Sequence, residues 1–258
     1  MLRPFATLRV TGIRNLCALC EKLLTLIPVK SILEDNITMM LNVVIDDKKI
    51  EVEEGKNLLQ ACLDNDIYIP NLCYVKDMTH PQASCRLCFV EIEGEKKPVP
   101  SCSVTVREGM KVRTDTPSVR RLQRSAFHLL LSRHDVECKI CPANKKCELQ
   151  KIAKFLKVGL KSKYPLLLPK SVSETGRQET DESHPVLNYY PNRCVLCGKC
   201  IHVCRNTHGI ALLTFSKRGI DTVISFYGEE DVSRLPGEKC LACVNICPVS
   251  AITLKSLS

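Results

Sequence analysis

The chain has 258 residues, 45% of them hydrophobic and 25% charged, with a formal net charge of +9; this composition excludes general disorder and leaves room for one large domain or two to three small ones. The longest near-continuous apolar stretch, Leu23–Val29, is broken by Thr25 and Pro28, so no segment is expected to span a bilayer. Cysteine is the outlier, with 17 residues against no tryptophan. An odd number of thiols, most of them two or three residues apart, fits metal centres in a reducing compartment better than a disulfide scaffold.

Residues 1–38 differ from the rest. Arg3, Arg9 and Arg14 precede the first acid, Glu21, a pattern found in organellar transit peptides. Alternatively the natural protein starts at Met39-Met40, because an alternating strand begins directly afterwards, and the first 38 residues are an extension assigned in error; the strand start favours this second origin. It makes the protein cytoplasmic, whereas a transit peptide would send it to a mitochondrial or hydrogenosomal matrix. Cys17 and Cys20 have no second pair nearby and are read as non-ligating.

From Met40 onward the pattern becomes regular. Leu41–Ile45 and Lys48–Val52 alternate as a hairpin turning at Asp46-Asp47. Asn57 is expected to cap a helix over Leu58–Asn65, whose Leu58, Leu59, Cys62 and Leu63 share a face, so Cys62 reads as a core residue. A cysteine-rich loop runs from Cys73 to Cys88, followed by a strand at Phe89–Glu93, a turn at Glu93-Gly94 and a short strand entering Cys102. Helical periodicity returns over Ser118–Ser132, with Val119, Leu122, Phe127, Leu130 and Leu131 apolar, and again over Cys147–Val158, ended by Gly159.

Lys145, Lys146, Lys151, Lys154, Lys157, Lys161 and Lys163 surround a single acid, Glu148. They read first as a solvated helix face and second as a docking surface for an acidic partner; sparse aromatics and the lack of a motif disfavour nucleic acid. Residues 161–192, with Pro165, Pro169, Pro185, Pro191 and a polar run, read as a linker. Arg193–Ile252 holds two cysteine clusters flanking a hairpin around Arg218-Gly219.

Four groups carry the chemistry. In the first, Cys73, Cys85, Cys88 and Cys102, four thiolates on loops around a small sheet suit a [2Fe–2S] centre. The second is His134-x3-Cys138-x2-Cys141-x5-Cys147, where a [4Fe–4S] cluster lacks a fourth cysteine and a histidine stands in its place. The third, Cys194-x2-Cys197-x2-Cys200-x3-Cys204, is the bacterial ferredoxin run, in which three cysteines hold one cubane and the fourth crosses to another. Its mate is Cys240-x2-Cys243-x3-Cys247-Pro248, with Gly237 where the first cysteine of that run belongs. Cys194, Cys197, Cys200 and Cys247 then complete one [4Fe–4S] cluster. Cys204, Cys240 and Cys243 are left one ligand short, as [3Fe–4S], as [4Fe–4S] completed by Glu238 or solvent, or empty. Structural zinc is the competing use of such ligands, but the ferredoxin run and its closing Cys-Pro fit cubanes better.

In this order the groups resemble the N-terminal iron–sulfur module of the complex I large iron–sulfur subunit, iron-only hydrogenases and NAD-linked formate dehydrogenases. Ile69-Pro70-Asn71-Leu72-Cys73-Tyr74, Cys85-Arg86-Leu87-Cys88, Cys147-Glu148-Leu149-Gln150-Lys151 and Arg193-Cys194-Val195-Leu196-Cys197 carry the likeness. The chain looks most like the free-standing small diaphorase subunit of bidirectional NAD-linked hydrogenases, from which Gly237 departs. The resemblance implies His134 as a cluster ligand and an α+β fold in successive parts. These are an N-terminal extension (1–38), a β-grasp [2Fe–2S] ferredoxin-like domain (39–117), a His-ligated [4Fe–4S] helical domain (118–160), the linker (161–192) and a bacterial-ferredoxin-like domain for two [4Fe–4S] clusters (193–258). The chain has no G-x-G-x-x-G after a strand and no P-loop, so no catalytic residue and no NAD or flavin site is assigned to it. The implied role is an electron-transfer subunit between a flavoprotein that oxidises NAD(H) and a hydrogenase or formate dehydrogenase partner. A complex I-type NADH dehydrogenase module and a zinc-stabilised interaction protein are the alternatives.

Overall fold

The computed structural model describes residues 39–76, 78–164, 180–184, 186–210, 212–226 and 240–255. The N-terminal extension with Cys17 and Cys20, much of the expected linker, and Gly237 and Glu238 lie outside the described residues.

The expected hairpin forms from β1 (Met40–Ile45) and β2 (Lys48–Glu53), with Leu41 opposite Val52 and Val43 opposite Ile50. Asp46 and Asp47 take φ of 48° and 67°, the paired left-handed conformation of a two-residue hairpin turn. Asp46 also accepts hydrogen bonds from the backbone N–H of Thr114, at 2.8 Å, and from its hydroxyl. That contact draws in a strand the alternation pattern did not reveal, β5 (Lys111–Arg113), which runs parallel to β1 and antiparallel to β3 (Phe89–Ile92). β4 (Val99–Pro100) completes the sheet, in the order β2-β1-β5-β3-β4. Helix α1 (Leu58–Asp64) is capped by Asn57, whose side chain accepts from the N–H groups of Leu59 and Gln60. It buries Leu58, Leu59, Ala61 and Cys62 in one core with Val43, Ile45, Val90 and Val112; Leu63 is half-buried.

Helix α2 (Pro117–Leu131) starts on a Thr116 cap with proline in its first turn. Its buried stripe differs from the expected one: Leu122 and Leu130 are half-buried, while Gln123 is fully buried. The Gln123 amide bonds the Phe89 carbonyl at 3.1 Å, which satisfies a polar group inside the interface with β3. Helix α3 (Glu148–Leu156) starts one residue later than expected, with Cys147 as its cap, and ends at Lys157 rather than Gly159. Lys157 itself takes the left-handed conformation, φ 53°, and the N–H of Val158 closes the last turn on the Ala153 carbonyl at 3.0 Å.

The end of the expected linker is structured. β6 (Leu187–Tyr189) pairs antiparallel with β9 (Ile252–Leu254), and Tyr189 is buried; proline content alone hid a strand whose partner lies far along the chain. Between them come α4 (Lys199–His208), the hairpin β7 (Leu213–Ser216) and β8 (Val223–Phe226), and α5 (Ala242–Ile246). The fold is mixed α+β, with one five-stranded and two two-stranded sheets among the described residues. No helix among them is long and apolar enough to cross a membrane.

Candidate metal centres

Cys73, Cys85, Cys88 and Cys102 are all buried. The Cys73 and Cys85 sulfurs lie 3.4 Å apart. Ser101 gives both its N–H and its hydroxyl to the Cys88 carbonyl, each at 2.9 Å, and the Asn57 amide donates to the Cys102 carbonyl. One residue thus caps α1 and holds the backbone at Cys102. Arg86, inside the Cys85–Cys88 turn, has φ 54°, the kind of left-handed backbone that gathers at functional sites. A shared hydrogen with Cys73, and then burial, pushes the Cys85 thiol up; the Cys102 hydrogen bond and burial do the same for Cys88. Thiols held neutral in this way give up protons when they bind metal.

His134, Cys138, Cys141 and Cys147 line one small hollow. His134 Nδ1 is 2.7 Å from the Arg193 carbonyl. A carbonyl only accepts, so Nδ1 carries the proton and Nε2 keeps its lone pair. Burial lowers the His134 pKa, which keeps the ring neutral. A neutral imidazole with one nitrogen tied to a backbone carbonyl is the form that ligates metal, so the donor set fits a cluster held by three thiolates and one histidine.

Cys194, Cys197, Cys200 and Cys247 line a second small hollow, with Val195, Ile224, Val249, Ala251 and Ile252 among its walls. Cys194 and Cys197 come from the loop leading into α4, Cys200 from its first turn and Cys247 from the turn after α5, brought together by the pairing of β6 with β9. Burial raises Cys194 and pushes Cys197 up to about 12. Hydrogen bonding from Tyr189 opposes the shift at Cys194, and the Tyr189 hydroxyl accepts the Ile224 N–H at 3.1 Å. The Ala251 N–H reaches the Cys247 sulfur at 3.2 Å. Such N–H and O–H donors are what stabilise sulfur ligands of an iron–sulfur cluster. The first and second hollows are tied together where the Glu148 N–H bonds the Pro248 carbonyl at 3.2 Å.

In the fourth group Cys204 and Cys243 are buried and Cys240 is half-buried. Burial, with Cys204 and Cys240 close by, pushes the Cys243 thiol up to about 11. His208 Nε2 lies 3.1 Å from the Cys240 sulfur. Cys62 sits apart in the sheet core, its thiol pushed up to about 12 by burial and then by Asp46. Among the described residues no group of His, Cys, Asp or Glu side chains is gathered to hold a single metal ion; the thiols of the second and third groups line hollows instead.

Sequence reasoning named these thiols and His134 but passed over Arg193, Tyr189 and His208. The Arg193 contribution is a carbonyl, which leaves no sequence signal, and Tyr189 fell in the stretch read as linker. His208 could have been found, since it follows Cys204 by one helical turn.

Three family models match in succession: a 2Fe-2S iron-sulfur cluster binding domain over residues 38–117, the NADH-ubiquinone oxidoreductase-G iron-sulfur binding region over 123–160, and the ferredoxin-like domain of NADH-quinone oxidoreductase subunit 3 over 184–253. The chain is 34% identical to a subunit of the NADH-quinone oxidoreductase of Rhizobium meliloti, across 83% of this chain and 24% of that protein. It is 31% identical to a subunit of the NADP-reducing hydrogenase of Solidesulfovibrio fructosivorans, across 83% of this chain and 36% of that one. It therefore spans a quarter to a third of the length of these relatives. Among solved structures, a chain of the NAD+-reducing [NiFe]-hydrogenase in the H2-reduced state matches with TM-score 0.69 and 28% identity, over 84% of this chain and 88% of that one.

Proposed function

Because this chain carries the N-terminal iron–sulfur module of the complex I-type family, we propose that it is an electron-transfer subunit, relaying single electrons between a flavoprotein that reacts with NAD(H) and a hydrogenase or formate dehydrogenase partner. The observation that carries the relay is the continuity of one hydrophobic core. Cys73, Cys85, Cys194, Cys200, Cys204 and Cys243 belong to it, and Cys147, Cys197 and Cys247 pack against it. At least one cysteine of each of the four groups thus touches the same packed core.

In this reading Cys73, Cys85, Cys88 and Cys102 hold a [2Fe–2S] cluster on a β-grasp sheet over residues 39–117. His134, Cys138, Cys141 and Cys147 hold a [4Fe–4S] cluster in the helical part, 118–160. Cys194, Cys197, Cys200 and Cys247 hold another in the ferredoxin-like part, 193–258, and Cys204, Cys240 and Cys243 hold the incomplete one. Bound there, the clusters supply one-electron carriers. The residues do the rest: thiols and the His134 imidazole anchor, Tyr189 and backbone N–H groups donate to sulfur, and Val195, Ile224 and Val249 keep water out. The flavoprotein divides the two-electron hydride chemistry of NADH into single electrons.

A quinone-linked complex of the NADH dehydrogenase type is the second reading for the catalytic partner, favoured by the Rhizobium meliloti relative. The two are separated by anaerobic co-purification, which is expected to recover a hydrogenase or formate dehydrogenase subunit. Recovery of membrane-bound quinone-reductase subunits would establish the second reading. Zinc with negligible acid-labile sulfide in the purified protein would overturn both.

A further inference from the structure

The incomplete site has three thiols and needs a fourth donor, and the position that should supply it in sequence, Gly237, has no side chain. Helix α4 carries Cys200, Cys204 and His208 at successive intervals of four residues, on one stripe of the helix. Cys200 lines the second hollow. Cys204, one turn further, lies beside Cys240 and Cys243, and α4 packs on α5, which carries Cys243. His208 is the next residue on that stripe and the last of the helix, which stops at Gly209 in the left-handed conformation, φ 70°. Its Nε2 stands 3.1 Å from the Cys240 sulfur, so an imidazole nitrogen already reaches the edge of the three-thiol site.

We infer that His208 is the missing ligand and that Cys204, Cys240, Cys243 and His208 Nε2 together hold a complete [4Fe–4S] cluster. The inference rests on the reading that the three cysteines bind a cluster at all. Binding replaces the present His208–Cys240 hydrogen bond, as each donor takes an iron of its own and the thiol proton is released. The donor set then repeats that of the His134 group, three thiolates and a neutral imidazole, reached from a different scaffold: a helical stripe in place of a loop. Nitrogen in place of a fourth thiolate removes one negative charge and favours the reduced cluster.

The test uses the full chain assembled anaerobically, with iron and acid-labile sulfide measured and EPR recorded before and after mild oxidation. Wild type is expected to keep a full cluster at this site. His208→Ala is expected to lose one iron per chain on oxidation and to show a [3Fe–4S] signal, and His208→Cys to suppress that signal and lower the potential. His208→Gln keeps a hydrogen-bond donor but no imidazole; it is expected to behave like His208→Ala, and wild-type behaviour would overturn ligation. Pulsed EPR of 15N-histidine-labelled His134→Cys protein gives the direct readout, because His134 no longer contributes. A histidine nitrogen coupling is expected there and should vanish in the His134→Cys, His208→Cys double variant. A fourth cluster present without that coupling overturns the assignment of His208 alone. Iron that never exceeds about ten per chain, the content of the other three clusters, removes the fourth cluster and the inference with it.

Discussion

His134 offers metal only its Nε2, because the Arg193 carbonyl holds the other ring nitrogen at 2.7 Å. His134→Ala is expected to lose or convert the cluster of Cys138, Cys141 and Cys147 while the other EPR signals stay unchanged, and His134→Cys to rebuild it at a lower potential, since a thiolate adds negative charge. A redox titration in which His134→Ala leaves every centre intact would make His134 a core residue only. Cys62 tests the opposite case, a thiol with no metal to bind. Its folded pKa of about 12 lies above the unfolded value of about 8.5, so the unfolded chain ionises first. The stability linked to this thiol is complete below pH ~8.5 and declines as pH rises toward its folded pKa. Thiols bound in clusters do not titrate, so in the loaded protein Tm between pH 8 and 10.5 should fall less for Cys62→Ala than for wild type, whatever their offset at pH 7. Ligand candidates were legible in the sequence because clusters demand thiols at fixed loop spacings, and Cys62 was legible because it sat on an apolar helix face. Tyr189 and the Arg193 carbonyl were not, since a donor to a ligand can come from anywhere the chain folds back.

Backbone conformation decides two predictions at the level of elements. Gly198 opens α4 at φ 72°, and a Cβ there would stand 2.6 Å from the Gln82 side-chain oxygen. Gln82 can swing aside, so the left-handed backbone sets most of the cost. Gly198→Ala should destabilise by about 1–2 kcal/mol, and adding Gln82→Ala should recover little of it; full recovery of Tm in the double variant would show that the clash dominates. Lys157 is the reverse case, a side chain in the left-handed position that ends α3. Lys157→Gly should stabilise by about 0.5–1 kcal/mol, read as a rise in Tm. Periodicity revealed the first hairpin and the helices α1, α2 and α3, because each has an apolar face long enough to count. It could not reveal β5, only three residues long and held by Asp46 and its two neighbouring strands. Nor could it reveal β6, whose partner β9 lies at the far end of the ferredoxin-like part.

For the molecule as a whole, the absence of a nucleotide-binding pattern in the sequence sets the expectation that the purified chain does not oxidise NADH with artificial acceptors. Activity should appear when a flavin-bearing subunit is added, measured as reduction of the visible charge-transfer bands under anaerobic conditions. Robust NADH oxidation by the chain alone, free of flavoprotein, would refute the carrier role. The exposed Lys145, Lys146, Lys151 and Lys154 lie beside the first hollow, around and along α3, and their contribution to docking would appear as a salt-dependent rate of that reduction.

The pairing of β6 with β9 also bears on biosynthesis. The walls of the second hollow come from Tyr189 to Cys200, from Ile224 and from Cys247 to Ile252, so that hollow has no enclosed shape until the ribosome has released the last of these residues. Cys73, Cys85, Cys88 and Cys102, together with the strands around them, emerge long before. Assembly machinery that delivers clusters to this chain therefore meets the sites in chain order, the sheet-bound one first and the one between β6 and β9 only once Ile252 has emerged.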